Sequence, residues 1–183
     1  MLFRSYMAPD PARLARWRER FAGSERLNVG LVWQGNPQAR ADKGRSPPLA
    51  ALAPLFADKR VRFLALQKEH GLDQIEGLPF ARMIQRPGPA FDAGPDAFLD
   101  TMAVMGALDL IVTSDTAAAH LAGALGRPAL LMLKHVPDWR WQGAGTTSPW
   151  YPSLTLVRQP EPGDWASVAR EVAAMIAERA QTL

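Results

Sequence analysis

Apolar residues follow two alternating patterns along this chain. One is the short unbroken run: LNVGLVW at 27–33, VRFLALQ at 61–67, LDLIVTS at 108–114, RPALLML at 127–133 and LTLVR at 154–158. Such runs, rich in β-branched residues and apolar on both faces, predict strands covered on both sides. ARMIQR at 81–86 predicts a shorter strand. The other pattern has helical spacing. Leu14, Trp17 and Phe21 form one stripe over 10–22, with Asp10 as cap and Pro11 at the first position, where a missing N–H does no harm. Gly23 and Ser24 end that helix. Leu49, Leu52, Leu55 and Phe56 predict a helix over 48–57, and 72–77 shows weaker helical character. Phe98, Leu99, Met102, Met105 and Leu108 predict a helix over 96–107, capped by Asp96. Residues 115–126 predict another, closed by Gly126, and Asp164 caps a last one running to about Ala180. The stretches 34–48, 87–95 and 134–153 are rich in turn formers and predict loops.

Strands therefore alternate with helices about six times. That order predicts a Rossmann-like three-layer α/β domain with a mostly parallel sheet of about six strands. The 183 residues suit one domain. Residues 1–25 read as a linker helix, the end of whatever precedes, and 26–183 as the domain itself. No internal repeat is visible.

Composition narrows the function. The 21 basic and 18 acidic residues give a net charge of +3, and the arginines are dispersed, so there is no clustered nucleic-acid footprint. With no cysteine there is neither a disulfide framework nor a thiolate metal site. His70, His120 and His135 lack the spacing of metal ligands. The N-terminal MLFRSYMAPDPARLARWRERF has no continuous apolar core, and no run approaches the ~18 apolar residues of a membrane helix. These features predict a cytoplasmic protein that neither enters a membrane nor binds nucleic acid.

Three loops that follow strands carry chemistry. In an open α/β sheet, ligands lie beyond the carboxyl ends of the strands. Ser114, Asp115 and Thr116 follow the 108–114 run and open a helix, whose free amides and dipole favour an anion. Ala117, Ala118 and Ala119 allow close approach to the backbone, and His120 lies one turn after Thr116. A plain N-cap explains Ser-Asp-Thr about as well. After the first strand, Gln34, Gly35 and Asn36 precede Pro37 in a tight turn, with Lys43 and Arg45 beyond it. An arginine there can grip phosphate oxygens bidentately, and a solvated basic loop is the alternative. After the second strand come Gln67, Lys68 and Glu69. Glu69 can accept from a ribose or base, although a surface glutamate is the default. Trp139, Trp141, Trp150 and Tyr151 can stack on a ligand, but their spacing with prolines favours roofing the core. Asp138 and Arg140 can pair with each other.

Two enzyme classes fall away. VGLVWQGNP lacks the G-x-G-x-x-G turn of a dinucleotide oxidoreductase. Ser114, Asp115 and His120 sit within seven residues and without a G-x-S-x-G elbow, which excludes a hydrolase triad.

The string from Asp115 to Pro128, DTAAAHLAGALGRP, resembles the D-T-[GA]-x-x-H-L-x-x-A-L-x-x-P motif of glycosyltransferase family 9, the heptosyltransferase-like enzymes. VGLVWQGNP, RSPPLAALAPL, RFLALQK and PDWRWQ…SPWYP resemble the variant fused to tetratricopeptide repeats, and the likeness covers roughly 27–180. The resemblance implies the C-terminal, donor-binding half of a GT-B enzyme that uses a UDP- or ADP-sugar without a cofactor or an obligatory metal. It implies that the turn Asp115–Ala117 and His120 hold the diphosphate and sugar, that Arg45 contacts phosphates, and that Glu69 lies near the nucleoside. Ala117 stands where heptosyltransferases have glycine, which tightens the approach. The acceptor half, often the source of the catalytic base, has no counterpart in this stretch. The resemblance thus implies an upstream acceptor or repeat domain and no catalysis by this chain alone. A non-catalytic binding module beside repeats is the other reading.

Overall fold

The computed structural model describes residues 5–95 and 98–182. Its strands are β1 (Leu27–Val32), β2 (Val61–Ala65), β3 (Ile84–Gln85), β4 (Leu110–Ser114), β5 (Ala129–Leu133) and β6 (Leu154–Arg158). Its α-helices are α1 (Pro11–Phe21), α2 (Leu99–Ala107), α3 (Ala117–Ala124) and α4 (Trp165–Gln181). The strands form one sheet in the order β3-β2-β1-β4-β5-β6, with every pair parallel. The order reverses between β1 and β4. Connections leave these two neighbours in opposite directions, which opens a crevice at their carboxyl ends.

Side-chain alternation along each strand divides the core in two. Val29, Leu31, Phe63, Val112, Leu130 and Met132 face α4, and Phe56 joins them from the 3₁₀ helix Leu49–Ala57. Val32, Leu64, Ile111, Leu131 and Leu156 face α1, α2 and α3. Strands buried on both faces explain the unbroken apolar runs. Gly30 in β1 lets the layers approach: a Cβ there would meet Leu108 and Leu66 side chains at 2.7 Å.

Several expectations are corrected in detail. The 48–57 segment is 3₁₀ rather than α-helical because Pro54 lies inside it, with no N–H to donate and a ring that clashes with the preceding turn. Of the strand expected over 81–86 only Ile84–Gln85 pairs; Ala81–Met83 is a 3₁₀ turn, and Pro87 ends the edge. The expected cap Asp96 lies outside the described residues. The first-turn amides of α2 are instead taken from a distance: Asp92 accepts from the N–H of Asp100 at 2.8 Å and of Thr101 at 3.2 Å. The Asp92 N–H donates back to Asp100 at 3.1 Å. β5 reaches β6 through a long loop with one 3₁₀ turn, Trp139–Trp141.

The helix read as a linker packs into the same body. α1 lies on α2, with Phe21 buried and Arg13 2.7 Å from Asp100. Trp17 meets Phe91 edge-on at 6.1 Å. Its N-cap is Asp10, whose carboxylate accepts from the Arg13 N–H at 2.8 Å.

Candidate functional site

A cleft of about 550 Å³ opens at the crossover between β1 and β4. The loop after β1 supplies Gln34, Gly35, Asn36 and Arg45; the loop after β2 supplies Lys68 and Glu69; the start of α3 supplies Asp115, Thr116, Ala117 and His120. Ten of the twelve residues singled out from sequence thus meet there. The other two do not. Ser114 is fully buried at the end of β4, because strand alternation turns it inward. Lys43 lies outside the cleft lining, where its carbonyl receives the Lys134 ammonium at 3.4 Å.

The helix α3 begins abruptly. Thr116 is its N-cap, with extended backbone and no capping bond from its side chain. The Thr116 hydroxyl instead lies 3.3 Å from that of Thr113. The first-turn amides are therefore not consumed by the cap side chain, and Ala117 and Ala118 line the cleft. That combination suits an anion.

The β1 loop is organised by a residue that sequence reasoning passed over. Asp42 is buried and accepts from Ser46 Oγ at 2.7 Å and from Gln34 Nε2 at 2.9 Å. Arg45 Nη2 lies 3.2 Å from the same carboxylate. Ser46 Oγ accepts in turn from the Gly35 N–H at 2.9 Å. A side chain at Gly35 would displace this network, since a Cβ would meet Asp42 Oδ1 at 2.4 Å and Arg45 Nη2 at 2.8 Å. Gln67 performs the matching task from the loop after β2. Its Oε1 accepts from the Trp33 and Gln34 N–H groups, and its Nε2 donates to the Gln34 carbonyl at 2.9 Å. Nothing in the local sequence separates Asp42 from other loop aspartates; only its i+4 relation to Ser46 hints at a role.

His120 is half-buried. Its ring stacks on Trp141 at 5.1 Å, and its Nδ1 lies 3.2 Å from the Tyr151 hydroxyl. Burial pushes its pKa below the ordinary value, and the nearby Asp115 carboxylate only partly offsets this. Burial, helped by a hydrogen bond to Tyr6, pushes the Tyr151 phenol up to about 12. Burial therefore favours the neutral imidazole, with one nitrogen facing the Tyr151 hydroxyl and the ring lining the cleft. Trp141 and Tyr151 roof α3, as the spacing of the aromatic loop favoured, while Trp139 and Trp150 stand exposed. Asp138 and Arg140 do pair, at 2.7 Å, and both line the cleft.

Among the described residues no group of three or more His, Cys, Asp or Glu could hold a metal ion. No described helix is long and apolar enough to cross a membrane.

These features define a doubly wound α/β domain with a polar cleft at its switch point. Its fold is that of the family 9 heptosyltransferases of the GT-B class. The glycosyltransferase family 9 structure from Veillonella parvula DSM 2008 superposes with a TM-score of 0.64 at 11% identity, over 97% of this chain and 54% of that one. E. coli ADP-heptose lps heptosyltransferase II gives 0.61 at 17% identity, over 94% and 54%. Anabaena Alr3699/HepE in complex with UDP and glucose gives 0.52 at 15% identity, over 96% and 48%. Protein FlbA of Caulobacter vibrioides is 31% identical in an alignment 180 positions long that covers 92% of this chain and 28% of that protein. No family model matches. The chain spans about half the length of these solved structures and little more than a quarter of FlbA.

Proposed function

We propose that this chain is the donor-binding half of a GT-B glycosyltransferase that uses a UDP- or ADP-sugar. The observation that carries the reading is the meeting of the Arg45 guanidinium and the uncapped first turn of α3 in one cleft at the switch point. Arg45 grips the diphosphate, and the amides of Ala117 and Ala118 take its remaining oxygens. As the glycosidic bond breaks, negative charge grows on the leaving diphosphate, and both groups are already aimed at it. Neutral His120 lies beside the same turn and donates or accepts a hydrogen bond there without adding charge. The complex of Anabaena Alr3699/HepE with UDP and glucose supports a nucleoside diphosphate as the ligand class.

The acceptor and the catalytic base belong to a second α/β half. We place that half, or a repeat region, upstream in a cytoplasmic protein, so the chain alone transfers no sugar. Calorimetric titration with UDP and ADP tests the reading, with Arg45→Ala and Thr116→Ala as controls. Micromolar to millimolar binding that both variants weaken is the expected result. If wild-type protein binds neither nucleotide, the site is misassigned; sugar transfer by the isolated chain would overturn the claim that it is incomplete. Nucleotide binding that never leads to transfer, even with the second half supplied, would favour a non-catalytic module.

A further inference from the structure

One wall of the cleft carries an aromatic ring that folding alone does not require. Phe98 lines the cleft, is 48% exposed and sits at φ 69°, in the left-handed region. A bulky residue with a Cβ is disfavoured there, and an exposed phenyl gains little from burial. The surroundings nonetheless fix it. α2 begins at the next residue, and the Phe98 carbonyl accepts from the Met102 N–H at 2.8 Å. The next two amides, of Asp100 and Thr101, are held by Asp92, which is buried and itself at φ 45°. The Lys68 ammonium is bound to the Asp92 carbonyl, which ties this corner to the loop after β2. Two strained non-glycine residues thus hold one ring at the mouth of a polar cleft. Strain that the surrounding structure over-determines is characteristic of ligand sites.

We propose that Phe98 is the stacking surface for the nucleobase of the bound nucleotide. This rests on the donor-binding reading above. A nucleoside diphosphate is an extended ligand with its charge at one end and a flat aromatic ring at the other. Arg45 and α3 lie at the centre of the sheet, after β1 and β4. Lys68 and Glu69 follow β2 to one side, and Asp92, bonded to both Lys68 and Thr101, ties the start of α2 with Phe98 to that flank. With the diphosphate central, that flank receives the nucleoside: Glu69 accepts from ribose hydroxyls, and the Phe98 face covers the base. The more exposed Trp139 does not compete for this role. It is absent from the cleft lining, and the Arg140 guanidinium covers its ring at 4.9 Å.

The probes are ADP, UDP and inorganic pyrophosphate, titrated into wild-type protein and into Phe98→Ala, Phe98→Trp and Arg45→Ala. Phe98→Ala is expected to weaken ADP and UDP by about tenfold or more, the scale of one base–aromatic stack. Phe98→Trp restores binding, and pyrophosphate affinity does not change with residue 98. In NMR spectra the adenine protons of ADP shift upfield on binding to wild type and not to Phe98→Ala. Arg45→Ala weakens all three probes. If Phe98→Ala binds ADP and UDP as wild type does while Arg45→Ala does not, stacking is refuted and the donor site survives. Equal loss of pyrophosphate and nucleotide in Phe98→Ala would also refute it, because Phe98 would then act only through the fold. Failure of wild type to bind either nucleotide overturns the underlying reading instead.

Discussion

The Asp42 carboxylate, almost wholly buried, lies 3.2 Å from Arg45 Nη2, and Arg45 faces the cleft. The pair sets the direction of the guanidinium before any ligand arrives. Pre-organisation of this kind reduces the side-chain entropy lost on binding. Asp42→Ala is expected to cost about 2–4 kcal/mol of stability in urea unfolding, because Gln34, Ser46 and Arg45 all lose their shared acceptor. Arg45→Ala should cost less, since Gln34 and Ser46 still donate to Asp42. Its effect should fall mainly on nucleotide affinity, and an unchanged dissociation constant would count against the placement of the phosphates.

Gly35→Ala tests the same loop through sterics. The new Cβ would press on Asp42 Oδ1 and Arg45 Nη2, so one of the two must move. We expect a loss of about 1–3 kcal/mol together with weaker ADP and UDP binding. Ala substitution at Gly44 is the contrasting case of backbone strain alone: Gly44, unlike Gly35, lies at positive φ, and nothing stands within 4 Å of its Cβ position. Gly44→Ala should lower the melting temperature without a comparable loss of affinity.

His120 gives a pH signature. Its folded-state pKa is depressed below the ordinary 6.5, with burial as the main cause. The unfolded chain therefore binds the proton more readily, and stability rises with pH through this window. The His120 contribution is fully present above about pH 6.5 and is lost as pH falls towards the depressed folded value. An NMR titration of the imidazole should show a midpoint below 6.5. In His120→Gln the stability loss over the same range should be smaller; an identical slope would place its origin elsewhere.

Asp92 caps α2 from a distance. Asp92→Ala frees the amides of Asp100 and Thr101 together and removes the partner of the Thr101 hydroxyl. A loss of about 2 kcal/mol is expected from chemical denaturation, on the scale of a strong helix cap. Asp10→Ala should cost less, because the Asp10 carboxylate holds only one exposed N–H on α1.

Gly123 faces the aromatic roof. A Cβ there would sit 2.3 Å from Tyr151 Cγ, which is not flexible enough to yield. Gly123→Ala should therefore lower the melting temperature and displace the Tyr151 hydroxyl from His120 Nδ1. Loss of the low imidazole midpoint in that variant would confirm that the roof sets the environment of His120.

Much of this was legible in the chain itself. Runs apolar on both faces can be buried only between two layers, so 27–33, 61–67, 108–114, 127–133 and 154–158 each mark a parallel strand to within two residues. Asp10, Pro11 and Asp164 mark helix starts because a cap bonds an amide three residues away, which is a local event. The turn at Asp115 follows from strand, cap and small residues in sequence. Which loops share a cleft is a different kind of fact. Arg45, Glu69 and Thr116 come together because β1 and β4 are neighbours at the reversal of strand order, and no local pattern encodes that adjacency. Asp42, Gln67 and Asp92 look like ordinary loop polar residues until folding buries them against amides and guanidinium groups from elsewhere. Local propensity decides what each segment is; the hydrogen-bonding demands of buried polar groups, met across the fold, decide which residues build the site.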